Sequence, residues 1–596
     1  MSFLQDAPQL GNQYETDSPF QELLERYLPQ DLLSELAPGL RHLGERVVTD
    51  IRDMGESAES NPPRLVQYDS WGKRVDRIEV DAGWESLAAV AAEEGLISLP
   101  HTKPHGEWSR LVQGAKLYLF HPSSMIYTCP VAMSDGAACL LERYASDEIK
   151  QHALTRLLSN DPAIAWTSGQ WMTETSGGSD VSRTETVARK EGDHYRLYGT
   201  KFYTSATTSQ MAIALARIED ASGNTIAGSR GLSTFYLEVH DEAGQLNNMS
   251  IRRLKDKMGS KALPTAEITL EGTTAQLVGE PGAGVRQISS LFNMTRIQNG
   301  IAAVSSMRRM VAFVRDYAER REAFGRRLID LPLYAQGVAQ METEVQGGLQ
   351  LVFYLVSLLG KEESGKIAAD EQAILRILMP LAKLYTAKQG IDVAAEGIEA
   401  IGAAAYMEDT GLPRLYREAV ALAIWEGATN VCCLDAMRAI VREGALEPFL
   451  ADVARRGEAI QLEDLVEERS AVLAGVGLCR SYIEKALGAG PETGEAAARE
   501  IAFGLTNLAI AALLLEHAQW ASRNENANSH RCTAAARRWC RKPLYPQIVV
   551  DDRQRDETAL LARSGEGVAS IQSANERVNI EPPRIRSQPT EQREVG

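Results

Sequence analysis

The residues that most invite chemistry are Ile424-Trp425-Glu426-Gly427-Ala428-Thr429-Asn430. They set one carboxylate at a break between two apolar stretches of helical spacing. A carboxylate in an apolar neighbourhood costs desolvation unless it has a partner or a task. Glu426 is therefore the candidate general base. A second cluster, Met172-Thr173-Glu174-Thr175-Ser176-Gly177-Gly178-Ser179-Asp180, joins two glycines to the hydroxyls of Thr173 and Ser179. Such a backbone can approach a flat ring or a phosphate closely, and the hydroxyls can donate or accept. Spacing alone describes an ordinary polar turn equally well. Two more clusters have plain structural readings: Gly199-Thr200-Lys201-Phe202-Tyr203-Thr204-Ser205 as a strand end, and Arg320-Arg321-Glu322-Ala323-Phe324-Gly325 as a capped helix terminus.

The elements that must position these residues change period three times. Residues 20–58 and 84–165 carry apolar residues at helical spacing, with a small hairpin between them near 65–80. From about 170 to 282, short runs such as Ser233-Thr234-Phe235-Tyr236-Leu237 alternate sides at period 2, separated by Gly, Asn and Asp. Helical patterns then return and persist. The expected fold is α+β: an N-terminal mostly helical domain (1–168), an antiparallel β-barrel or sandwich (169–283), and a four-helix bundle carrying Glu426 (284–444). An extra helical domain (445–545) and a disordered polar tail (546–596) follow. A cofactor would sit between the strand domain and the bundle.

Composition narrows the class. The chain has 596 residues and a net charge of −17, which argues against a chain devoted to polyanions. Seven scattered cysteines suit neither a disulfide framework nor paired zinc ligands, so a reducing compartment and no metal are expected. There is no signal or transit peptide pattern and no terminal peroxisomal tripeptide, so the expected location is cytoplasmic. The run Ile501–Leu515 is too short to span a bilayer and reads as a buried helix. Gly282-Ala283-Gly284 lacks the third glycine of a dinucleotide fingerprint.

Taken together and in order, the four clusters resemble the acyl-CoA dehydrogenase family of flavoproteins. The resemblance covers about 60–445. It rests on the Thr-Glu-x-x-x-Gly-Ser-Asp pattern at Thr173–Asp180 and the aromatic-Glu-Gly at Trp425–Gly427. Asn61-Pro62-Pro63, Tyr68-Asp69, Arg253–Gly259 and the extra C-terminal helices look like the AidB branch.

The resemblance implies FAD as cofactor, an acyl-CoA as substrate and Glu426 as the base that takes the α proton while the β hydrogen leaves as hydride. A flavin hydroxyl and the base's own backbone N–H would serve the thioester oxygen. It places Met172, Thr173, Ser179, Tyr203, Thr204 and Ser205 at the flavin, with Trp425, Gly402 and Asn430 closing the same site. Arg321 and Phe324 would reach the FAD of a neighbouring subunit in a homotetramer, a dimer of dimers. Arg296, with Ser179, would serve the acyl-CoA side. The electron acceptor would be an electron-transfer flavoprotein or oxygen.

Two features depart from or extend this pattern. Glu399–Tyr406 replaces two family glycines with Ala403 and Ala405 and an amide with an acid, which crowds the expected FAD contact. The stretch Arg531–Lys542 holds five cations, no acid and one tryptophan. It admits DNA binding, as in AidB-like protection against alkylation, although a solvated helix face is the simpler reading.

Overall fold

The computed structural model describes residues 6–563. The N-terminal domain packs the helices Ser18–Tyr27, Gln30–Arg46, Asp50–Ser60, Ala82–Glu93, Ser109–Phe120 and Thr128–Tyr144. The expected hairpin is there as β1 (Arg64–Tyr68) and β2 (Arg74–Glu79).

The strand domain holds β3 (Ser168–Trp171), β4 (Val187–Glu191), β5 (His194–Ser205), β6 (Met211–Ile218), β7 (Leu232–Glu238), β8 (Met249–Leu254) and β9 (Thr265–Val278). It closes as a barrel: β6–β4–β5–β9–β7 returns to β6, with β3 on β6 and β8 on β9. The interior is filled by Trp171, Leu197, Phe235 and Ile268. The sheet is not purely antiparallel, because β3 and β4 both run parallel to β6. They share one edge of β6, β3 along Met211–Ala214 and β4 at Arg217–Ile218. The chain between them, Met172–Thr186, therefore leaves the sheet where one strand gives way to the other. That exit is what lifts the glycine-rich cluster out of the barrel.

Three bundle helices, Gly284–Arg320, Pro332–Glu363 and Ala369–Ile401, are continuous. The fourth is broken into Leu412–Ile424 and Thr429–Glu443, bent by 41°. Glu426 lies in the break. The helices that follow pack onto the bundle. Among them Pro491–Arg523 is long and apolar enough to cross a membrane, yet it serves as the core helix of this region, with Leu505, Leu508, Ile510 and Leu515 fully enclosed. The reading of 546–596 as disordered does not hold for Asp552–Ala562, which is helical; its Asp551 side chain caps the N-terminus by accepting from the Gln554 N–H. Residues 564–596 lie outside the described chain.

Candidate active site

Glu426 has φ of +58° and Gly427 of +102°. The left-handed region costs a non-glycine residue roughly 1–2 kcal/mol, so the surroundings must enforce it. They do so through carbonyls. Leu412–Ile424 ends with its carbonyls pointing into the bundle, and side chains of two other helices take them. From Gly284–Arg320, Asn299 Nδ2 donates to Leu422 O at 3.1 Å and Arg296 Nε to Glu426 O at 3.0 Å. From Ala369–Ile401, the buried Lys383 donates to Gly427 O at 2.6 Å and Ala423 O at 3.3 Å. Cations at a helix C-terminus also oppose its dipole. Arg296 is itself anchored, with Nη1 2.6 Å from Asp435 Oδ2 on the following helix.

The carboxylate faces the barrel. Burial raises the Glu426 pKa above 4.5, against the Thr295 hydroxyl, the charges of Arg296 and Lys383, and the Gln170 amide. Glu426 Oε2 and Gln170 Oε1 are both buried without a hydrogen-bond partner. Among the described residues the Glu426 N–H also has no acceptor. Unsatisfied buried polar atoms are rare and cluster at functional sites.

Gln170 lies on β3, two residues before Met172 and three before Thr173, so the glycine-rich cluster begins beside Glu426. It is joined to the Gly199–Ser205 cluster in two ways. Phe202 N donates to Thr173 O at 2.9 Å. Beneath that contact, Lys201 Nζ lies 2.6 Å from Glu174 Oε1, both buried. Glu174 also accepts from the Glu185 N–H and the Thr186 hydroxyl, and its pKa is held down against burial by Lys201. The motif glutamate is thus a staple. A bulge in the β5–β9 register between Lys201 and Thr204 re-aims Phe202 and Tyr203, leaving Tyr203 56% exposed under the Lys255 ammonium.

The remaining expected site residues divide. Met172 is buried, Thr173 half-buried and Ser179 exposed at the same edge. Thr204 is buried and its hydroxyl donates to Ala266 O, so its side chain serves the barrel. Ser205 Oγ pairs with Thr265 Oγ1 at 3.2 Å. Trp425 packs half-buried against Ala302, Ala303 and Ala387. Asn430 takes a 3.4 Å hydrogen bond from Arg499, so the C-terminal helices reach the segment after Glu426.

Arg321 and Phe324 are not brought to this site. They lie beyond the end of Gly284–Arg320, about 37 Å along the axis from Arg296. Phe324 is 94% exposed. Gly402 ends Ala369–Ile401 with φ of +83°. Beyond it Ala405 is buried, whereas Ala403 and Ala404 face outward.

The basic stretch is engaged within the chain. Arg531 pairs with Glu342, Arg537 with Asp464 and Lys542 with Glu344, while Arg538 donates to Gln336. Trp539 is fully buried against Gly347. It cannot stack on a base.

Sequence reasoning missed Lys383, Gln170, Thr295 and Asn299. Lys383 alone carried a signal, as the one charge in Ile377–Leu384.

Comparison with known proteins identifies the family. Residues 282–441 match the model of the acyl-CoA dehydrogenase C-terminal domain, and 169–273 match its middle domain. Acyl-CoA dehydrogenase family member 11 of Caenorhabditis elegans is 40% identical over 554 residues, spanning 91% of this chain and 89% of that protein. The chain belongs to the acyl-CoA dehydrogenase family.

Within that family of flavoprotein oxidoreductases it falls in the AidB-like branch. Residues 6–161 match the N-terminal domain of the adaptive response protein AidB, and 444–562 match the C-terminal domain of acyl-CoA dehydrogenase 11. The Escherichia coli putative acyl-CoA dehydrogenase AidB is 29% identical over 69% of this chain and 76% of its own. The crystal structure of Caenorhabditis elegans ACDH-11 in complex with C11-CoA superposes with a TM-score of 0.91 at 38% identity, covering 95% of this chain and 97% of that one.

Proposed function

We propose that this acyl-CoA dehydrogenase is FAD-dependent and desaturates an acyl-CoA thioester between its α and β carbons, with Glu426 as the base. The observation that carries this reading is the pair of unsatisfied groups on one strained residue. Glu426 offers a buried carboxylate oxygen and an unengaged N–H at the same break in the fourth bundle helix.

The residues fit a flavin. Gln170 Oε1 is an orphaned buried acceptor, and the hydroxyls of Thr173 and Ser179 lie on a backbone where a Cβ at Gly178 would press on Thr173 Cγ2 at 3.2 Å. Met172, Thr173, Ser179, Tyr203 and Ser205 would hold the cofactor, and FAD when bound accepts the β hydrogen as hydride.

The protein's own part is proton transfer and charge stabilisation. The Glu426 carboxylate, made more basic by burial, takes the α proton. The α proton is a poor acid, so negative charge grows on the thioester oxygen as it leaves, and the Glu426 N–H can donate to it. Arg296 and Lys383 hold the loop carbonyls so that both groups stay aimed the same way. Arg321 and Phe324 would meet the FAD of a neighbouring subunit in a homotetramer; their distance from Glu426 along one chain supports that assignment.

The test is anaerobic titration of the FAD-loaded protein with acyl-CoAs of differing chain length and branching. Loss of flavin absorbance in the unmutated protein and none in Glu426→Gln is expected. A protein that takes up no FAD, or a Glu426→Gln variant that is still reduced, overturns the reading.

A further inference from the structure

Far from Glu426, the N-terminal helix Ser18–Tyr27 meets the C-terminal helices Pro491–Arg523 and Ser529–Trp539. There Glu22, His517 and Cys532 come together, each no more than 4% exposed. Their ligand atoms all lie within 4.8 Å of one another. Cys532 Sγ is 3.3 Å from Glu22 Oε2, and His517 Nε2 is 3.7 Å from the same oxygen.

A buried carboxylate needs a cation, and the usual solution is visible elsewhere in this chain. The other close His–carboxylate–Cys group, His101, Asp135 and Cys139, has the Arg110 guanidinium 2.6 Å from Asp135 and a full set of hydrogen bonds from His101, Gln113 and Gln298. It is a closed charge network, neutralised by Arg110. Among the described residues Glu22 has no arginine or lysine ion pair and accepts instead from Asn528 and the Cys532 thiol. Its other oxygen, Oε1, takes a 2.6 Å hydrogen bond from Asn528 Nδ2, which orients the carboxylate and leaves Oε2 turned to the imidazole and the thiol. The His517 ring meets Glu22 only loosely, with Nε2 3.7 Å from Oε2, and among the described residues its buried Nδ1 has no partner.

We propose that Glu22, His517 and Cys532 form a site for a zinc-class divalent cation that clasps the N-terminal helix to the C-terminal domain. One carboxylate oxygen, one imidazole nitrogen and one sulfur suit a borderline-soft first-row metal better than calcium or magnesium, which favour all-oxygen sites. With metal–ligand lengths of about 2.0–2.3 Å, tetrahedral geometry puts ligand atoms roughly 3.4–3.6 Å apart, close to the 3.3 and 3.7 Å that separate the sulfur and the imidazole nitrogen from Glu22 Oε2. The Asn528 amide is the outer contact that such a carboxylate ligand needs. A bound dication would take Cys532 as the thiolate, releasing one proton to solvent. The clasp joins residues 510 positions apart in the chain, so it would stabilise the folded state by binding.

Metal loading tests this on the full chain. The protein is stripped with chelator, reloaded with zinc or cobalt(II), desalted and assayed for metal by mass spectrometry. Close to one equivalent is expected, falling at least tenfold in Cys532→Ser and in His517→Gln. The cobalt form of the unmutated protein should show a thiolate-to-metal charge-transfer band in the near ultraviolet, a readout that stands even where a variant fails to fold. No uptake, uptake unchanged in both variants, or cobalt binding without the thiolate band overturns the proposal and leaves a buried Glu–His pair.

Discussion

Arg296 Nε donates to the carbonyl of Glu426 at 3.0 Å while its Nη1 holds Asp435 at 2.6 Å. One guanidinium thus ties the main chain of Glu426 to the helix that follows it. A lysine has no fork and cannot span both acceptors. Misplacing a reacting group by about 1 Å can cost on the order of 100-fold in rate. Arg296→Lys should therefore slow flavin reduction by about ten- to a hundredfold while changing the KM for acyl-CoA far less, as measured by stopped-flow reduction.

Burial raises the Glu426 pKa above 4.5, and this sets a sign for stability. At neutral pH the unfolded chain carries an ionised carboxylate that folding must desolvate; below about 4.5 the group is protonated in both states and the cost vanishes. Glu426→Gln should be more stable than the parent at pH 7, with the difference closing as pH falls toward 4.5. Flavin reduction by the parent should rise with pH through the raised pKa. Denaturant melts and a pH–rate profile check the two halves of this prediction.

Much of the site was legible because local rules wrote it. The break at Glu426, the glycine turn at Gly177-Gly178 and the long bundle helices each follow from short-range pattern. The clamp was not legible, because Lys383 and Asn299 are 44 and 128 positions from Gly427 in the chain and act only through packing. The role of Arg296 was read toward the substrate, whereas its contacts are to the Glu426 carbonyl and Asp435. The parallel pairing of β3 and β4 was also hidden: alternation reveals a strand and its buried face, but not the direction of its neighbour.

Lys383 gives a second pH-dependent outcome. Burial lowers its pKa from 10.5 to about 8. Between those values the unfolded chain keeps a proton that the folded one has released, so stability rises with pH there. Lys383→Met removes this titration. The parent should gain stability relative to the variant from pH 8 to 10.5, by denaturant melts. At pH 7 the variant leaves the Gly427 carbonyl only the weak Cys432 thiol donor at 3.4 Å, and flavin reduction should slow.

Phe324 stands 94% exposed with φ of +53° in a short hairpin. Phe324→Ala removes nothing from the packing of its own chain, so thermal stability of the apoprotein should shift by no more than about 0.5 kcal/mol. If the side chain serves a partner's FAD, cofactor retention on gel filtration should drop. Unchanged retention argues against that placement.

The Glu174–Lys201 pair is the hidden joint of the edge proposed to hold FAD, and its removal should show in two places at once. Lys201 is fully buried, with Nζ 2.6 Å from Glu174 Oε1 and 2.8 Å from Leu215 O on β6. Removing one partner of a buried pair leaves an uncompensated charge and costs about 3–5 kcal/mol. Lys201→Met should therefore raise hydrogen exchange in β5 and β6. It should also loosen the turn after Met172, because Glu174 then relies on Glu185 N and Thr186 alone. FAD affinity should fall with it. Glu174→Gln combined with Lys201→Met removes the stranded charge and should recover part of the barrel's protection. Cofactor affinity should recover less, because the neutral pair no longer draws the Met172–Ser179 and Phe202–Ser205 segments together.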